Sequence, residues 1–152
     1  MKEVIRRVRR WALPYALQRR GGGRVAVGNR GEALAAKHFK RAGWRVIGRN
    51  VVVGGGEVDL VAEGRDGTIA VVEVKTVSRR AGQDADAEWS PERQVNGKKR
   101  DQLRKLAAAL CALKAWPKSR VRFDVVAVEL FGDGTHELRH HAGAFGWRGS
   151  RR

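Results

Sequence analysis

The 152-residue chain contains a single cysteine, Cys111. One thiol excludes an intramolecular disulfide and any cysteine-rich zinc site, and it suits a reducing compartment, so the cytoplasm is the expected location. No apolar run approaches the roughly 18 residues that a membrane span needs. Neither glycine cluster, Gly21–Gly23 or Gly54–Gly56, leads into Gly-Lys-Ser/Thr, so no phosphate loop and no nucleotide cofactor is expected. Acids are scarce as well: 16 stand against 32 lysines and arginines, for a net charge of +16. Such an excess calls for a polyanionic partner.

With 42% hydrophobic and 32% charged residues, the chain has the composition of a folded domain. Its length fits one domain, which buries roughly 68–70% of the surface of the unfolded chain. The charge is unevenly placed. Residues 1–30 carry nine lysines and arginines against one acid, Glu3, and Arg148, Arg151 and Arg152 add to the other end. Residues 1–25 read as a flexible basic arm with a glycine joint, residues 26–147 as the folded domain, and residues 148–152 as a basic tail. Val4, Ile5, Val8 and Trp11 give the arm a short amphipathic stretch, which Pro14 interrupts.

From Gly28 the pattern becomes that of a layered α/β domain. Asn29 with Glu32 three residues on reads as a capping box opening a helix that stops at Gly43. WRVIGRN, VVVGGGEVDLVAE and TIAVVEVKTV read as three strands, with a turn at Gly64–Gly67 between the last two. After a polar loop, Lys99, Leu103, Leu106, Leu110 and Leu113 recur at helical spacing, and Pro117 ends that helix. RVRFDVVAVEL and a short run near His136–Arg139 give two more strands. The expected order is αβββαββ.

Strand alternation puts Glu73 and Lys75 on one face with Ile69 and Val71, and it puts Val72 and Val74 on the other. A charge in so apolar a strand is costly unless something pairs it. Glu57 and Asp59 share a face of the preceding strand by the same alternation, and a hairpin would bring Asp59 beside Glu73. Two carboxylates and a lysine on a central sheet suit a hard divalent cation such as Mg²⁺, which takes oxygen ligands and polarises a phosphoryl oxygen. A Glu–Lys pair on a half-exposed strand is the plainer explanation. Lys99 points inward with the leucines of its helix, where it can reach a phosphate or snorkel past the core edge.

The runs Gly28-Asn29-Arg30-Gly31-Glu32, Gly55-Gly56-Glu57-Val58-Asp59 and Val72-Glu73-Val74-Lys75, with Val95, Lys99 and Arg122-Phe123-Asp124, resemble the YraN family of bacterial endonuclease-like proteins. The resemblance spans about residues 28–146. It implies a restriction-endonuclease-like core with a PD-(D/E)xK site, similar to archaeal Holliday-junction resolvases. By that resemblance Asp59, Glu73 and the Val74 carbonyl hold Mg²⁺, with Mn²⁺ as a substitute. Lys75 is then the motif lysine, and Glu32 completes the catalytic set. Lys99, Arg79, Arg80 and Arg30 are the expected nucleic-acid contacts. Cleavage would leave 5′-phosphate and 3′-hydroxyl ends, and a junction-cutting member would act as a homodimer. One position departs from the pattern, because Val77 stands where the family often has a basic residue.

Three functions are compatible with these features. One is a Mg²⁺-dependent endonuclease acting on DNA, including branched DNA. A second is a nuclease fold that grips nucleic acid without cutting it. The third is a membrane-surface or assembly factor that uses the arginine-rich arm. No nucleophilic triad emerges from the serines. His140 and His141 read as surface residues, Cys111 as a buried hydrophobe, and Trp89 and Trp147 as packing residues that could also stack on unpaired bases.

Overall fold

The computed structural model describes residues 23–80 and 91–149. Helix α1 (Gly23–Arg41) is followed by strands β1 (Arg45–Val53), β2 (Gly56–Glu63) and β3 (Ile69–Arg79). Helix α2 (Gly97–Lys114) then leads to β4 (Val121–Phe131) and β5 (His136–Phe145). The order is the αβββαββ that the sequence predicts. All five strands form one sheet in the order β1-β2-β3-β4-β5. Its pairs are antiparallel except β3–β4, which run parallel with Ile69 opposite Val121 and Arg79 opposite Phe131. A parallel pair requires a crossover, and α2 supplies it. No helix among the described residues is long and apolar enough to cross a membrane.

Each face of the sheet carries one helix, because β3 and β4 are apolar on both sides. On one face Ala35, Ala36 and Phe39 of α1 cover Leu60, Ala70, Val72 and Val126. On the other, Leu103, Leu106 and Leu110 of α2 cover Val58, Val61, Ile69 and Val71, with Phe123 and Phe145 stacked beside them at 4.8 Å. Each fully buried valine, leucine, isoleucine or phenylalanine among them contributes roughly 1.5–3 kcal/mol. Cys111 lies in this packing, and burial raises its thiol pKa. Leu113 falls on the flank of the α2 stripe and stays 49% exposed.

Several boundaries differ from the sequence reading. Helix α1 starts at Gly23, so Asn29 and Glu32 lie in its body and are not a capping box. Val27 already packs against the core, at helical spacing with Gly31 and Ala35; Gly28 and Gly31 hid that stripe. Residues 1–22 of the arm, 150–152 of the tail, and Trp89 lie outside the described residues. Val51–Val53 belong to β1, and the hairpin turns at Gly54 and Gly55, whose φ angles are +57° and +79°. β5 runs on to Phe145, six residues past Arg139.

His140 also departs from its surface reading. Its Nε2 lies 2.8 Å from Asp124 Oδ2, and its Nδ1 lies 3.0 Å from His38 Nε2. Asp124 is fully buried beneath α1, where Arg122 donates to both its oxygens at 2.7 Å and Gly143 N–H adds a third donor group. Burial alone would raise its pKa, but these hydrogen bonds outweigh burial and hold it below the usual carboxylate value. His141 points the other way and stays exposed, 3.0 Å from Glu92.

Gly31 sets how closely α1 approaches the sheet. A Cβ there would stand 1.8 Å from Thr76 Oγ1 and 2.8 Å from Thr76 Cβ. Alanine would gain about 1 kcal/mol of helix propensity, but overpacking of this kind costs about 1–3 kcal/mol or more, so the clash wins. Gly31→Ala is expected to lower the urea midpoint, and adding Thr76→Ala to recover part of the loss. Additive effects of the two changes in a double-mutant cycle would rule out this contact as the cause.

Candidate active site

β2 and β3 pair regularly only from Glu63 opposite Ile69 to Leu60 opposite Val72. One residue further on, where Asp59 would face Glu73, the ladder stops. Asp59 Oδ2 instead accepts the Val74 N–H at 2.8 Å, so a side chain replaces the backbone partner. The N–H and C=O of one residue point to the same side of a strand. The Val74 carbonyl is therefore aimed into the same gap.

The gap is accompanied by a twist in β2. Val58 packs under α2 while Leu60 packs under α1, although residues two apart in a regular strand share a face. Thus the alternation that would align Glu57 with Asp59 does not run through this point. Across from it in β1, Asn50 adopts a φ of +48°, a conformation that asparagine tolerates better than most residues. With its amide oriented to donate, Asn50 reaches Glu57 Oε1 at 3.1 Å and Glu32 Oε2 at 2.9 Å. Asn50 is a site residue that sequence reasoning missed.

Glu73 sits at the centre and is 2% exposed. Lys75 Nζ is 3.0 Å and Lys99 Nζ 3.3 Å from its Oε1. Lys99 comes from the first turn of α2, which Asn96 caps through its side chain. Both lysines keep about a quarter of their side-chain surface in solvent. Glu73 Oε2 is buried and accepts no hydrogen bond from the described residues. An unmet buried oxygen on a charged group is costly, and it marks a place where a cation or donor would be stabilised.

Asp59 feels its neighbours. Burial, then the negative charges of Glu73 and Glu32, raise its pKa to about 8, opposed by the Val74 hydrogen bond and by Lys99. Glu32 is itself 7% exposed, on the α1 face of the same end of the sheet. Asp59, Glu73, Lys75, Lys99, Glu32 and Val74 thus gather around one gap. The expected nucleic-acid arginines do not join them. Arg79 is turned onto Glu129 at 3.0 Å with 11% of its side chain exposed, Arg30 donates to the Gly134 carbonyl at 2.9 Å, and Arg80 is exposed at the end of the described β3 segment. Val77 is half-buried opposite Glu129 of β4.

Among the described residues, no three His, Cys, Asp or Glu side chains form a ready metal cluster. The oxygens that could hold a hard cation are therefore two carboxylates and a carbonyl: Asp59, Glu73 and Val74. They fit such an ion in kind, since all are oxygen donors, one is an unpartnered buried carboxylate oxygen, and the two acids repel each other without a cation.

The model of the uncharacterised protein family UPF0102 matches residues 31–128. A UPF0102 protein of Trichlorobacter lovleyi is 39% identical over 125 residues, covering 82% of this chain and 94% of its own. Another from Anaeromyxobacter dehalogenans is 40% identical over 126 residues, covering 82% and 87%. One from Geobacter sulfurreducens is 39% identical over 120 residues, covering 78% and 88%. The chain belongs to the UPF0102 family, the YraN-like group that its spaced motifs resemble.

The raised Asp59 pKa has a consequence for stability. Between about pH 4 and 8 the unfolded chain has released this proton while the native protein keeps it. The native state then binds more protons, so this group lowers stability as pH rises through that window. Asp59→Asn keeps an acceptor for Val74 and removes the charge. With chelator present, its gain in Tm over the unmutated protein is expected to be small at pH 4 and to grow to a plateau above pH 8. A gain that does not change with pH would contradict the assignment.

Proposed function

We propose that this protein is a metal-dependent DNA endonuclease that hydrolyses phosphodiester bonds. The observation that carries the reading is the gap between β2 and β3. There a buried carboxylate with one unmet oxygen, a second carboxylate with a raised pKa and a backbone carbonyl converge, with two lysines at the rim. A purely structural cluster would resolve its charges as Asp124 does, with every oxygen paired. This one leaves a donor set suited to Mg²⁺ or Mn²⁺. Family membership and the αβββαββ architecture agree with the resemblance to PD-(D/E)xK nucleases, and the net charge of +16 suits a nucleic-acid partner.

In this reading Asp59, Glu73 and the Val74 carbonyl hold the ion. When bound, it supplies electrophilic polarisation of a phosphoryl oxygen. The side chains do the rest. Lys75, tied to Glu73 but partly in solvent, is placed to stabilise charge developing on the scissile phosphate. Lys99, from the opposite layer, anchors a second phosphate oxygen or the neighbouring phosphate. Glu32 and Glu57, bridged by Asn50, orient water at the open end of the gap. Hydrogen bonds to the DNA backbone give position without reading sequence. The reading places the enzyme in the bacterial cytoplasm, and on branched DNA it would work as a homodimer.

The test is cleavage of four-way junction, flap, single-stranded and linear duplex DNA with Mg²⁺, Mn²⁺ or chelator. Wild-type protein is expected to cut at least one substrate only with metal. Glu73→Ala and Lys75→Ala, shown by circular dichroism to be folded, are expected to lose about 10²–10³-fold in rate, the scale of losing one preorganised charge-stabilising group. Tight binding without cutting on every substrate would instead favour a non-catalytic nucleic-acid-binding module.

A further inference from the structure

A second feature lies away from the gap. On the flank of α2 opposite Lys99, Asp101, Arg104, Lys105 and Ala108 line an open cavity of about 690 Å³ together with Lys118, Trp147 and Arg148. Its volume falls within the range of small-ligand sites. Among the described lining residues there are four cations and one acid. Asp101 is already committed, to Arg104 at 2.7 Å and to Arg148 at 3.0 Å from Nε. Arg104 spends its Nε on the Gly146 carbonyl and lies over the Phe145 ring at 5.2 Å. Lys105 and Lys118 make no ion pair among the described residues, and Lys118 Nζ stands 5.0 Å from the centre of the Trp147 ring.

The tryptophan is rigidly held. Its Nε1 donates to the Lys118 carbonyl at 3.2 Å, and its ring meets Phe123 edge-on at 4.9 Å. A fixed indole with one lysine ammonium over its ring and a second lysine lining the same cavity, neither in an ion pair among the described residues, suits a ligand with both a planar ring and a nearby anion. We propose that this cavity is a separate binding site for single-stranded DNA, with a base against Trp147 and its flanking phosphates on Lys105 and Lys118. Base–aromatic stacking contributes without sequence preference. Acidic peptides offer the charge but no ring, so the indole favours the polynucleotide.

Lys105 lies six residues beyond Lys99 and on the other side of the helix, about 14 Å away by helix rise and diameter. A strand reaching from the gap to this cavity would span roughly four nucleotides at B-form rise. That placement rests on the nuclease reading, but the binding itself does not.

The experiment is fluorescence anisotropy of a labelled thymidine 12-mer with the full-length protein in chelator, where no cutting occurs. Trp147→Ala is expected to weaken binding about 10-fold or more and Trp147→Phe by less, while the Lys105→Ala/Lys118→Ala pair weakens it and flattens its salt dependence. An abasic 12-mer is expected to bind wild type and Trp147→Ala equally, and a blunt duplex to show no Trp147 effect. Each variant is checked for an unchanged Tm. Equal 12-mer affinity for wild type and Trp147→Ala would overturn the proposal, as would displacement by poly-glutamate as effective as by unlabelled 12-mer. Because the chelator prevents cutting, loss of 12-mer binding in the cavity variants is read independently of the nuclease reading. Loss of binding in the cavity variants without metal-dependent cutting by wild type would sink the nuclease and leave this site standing.

Discussion

The hydrogen bond from Val74 N–H to Asp59 Oδ2 decides the shape of this end of the molecule. Had β2 kept its register, a backbone carbonyl would have taken that N–H and the strands would have stayed closed. A carboxylate reaches farther from its own main chain than a carbonyl does. β2 can therefore twist away while β3 keeps its donor satisfied. The twist moves Leu60 under α1 and Val58 under α2. It also leaves the Val74 carbonyl without a strand beside it. One side-chain substitution for a ladder bond thus makes both the opening and part of its lining.

Two aspartates show how environment divides a single residue type. Asp124 is fully buried but collects Arg122, His140 and Gly143, and its acidity is strengthened. Asp59 has one backbone donor and two acidic neighbours, and its acidity is weakened. The first fastens β4 to β5 and, through His140 and His38, to α1. The second is held in a state that a cation would relieve. Perturbation by desolvation and like charge in a cleft is the pattern of reactive sites, whereas complete pairing is the pattern of structural ones.

Much of this was legible from residue order. The period of two runs unbroken through β3, so Glu73 and Lys75 could be placed on one face and Val72 and Val74 on the other. The leucine spacing of α2 turned Lys99 inward for the same kind of reason. Where local rules fail, a distant partner has intervened. Asn50 looked like the end of a strand because its positive φ and its bridge between Glu32 and Glu57 belong to tertiary structure. Two glycines concealed the first turns of α1, one of them present because Thr76 presses on it. His140 seemed exposed because nothing near it in sequence reveals Asp124 or His38. Arg79, a natural DNA contact by charge, was claimed by Glu129 on the adjacent strand.

The lone parallel pair, β3 with β4, also gives the site a history. β1, β2 and β3 are joined by short turns, and hairpins of that kind close in roughly 1–10 μs. β4 must first cross over through α2, and such non-local pairing is slow because the chain entropy is lost before the contacts form. That topology predicts a three-stranded meander on whose open edge strand Glu73 stays hydrated until β4 docks. In that order the carboxylate would lose its water only as Val125 comes to lie opposite it and α2 brings Lys99. Assembly in that order would spare the chain a buried, uncompensated charge during its early collapse.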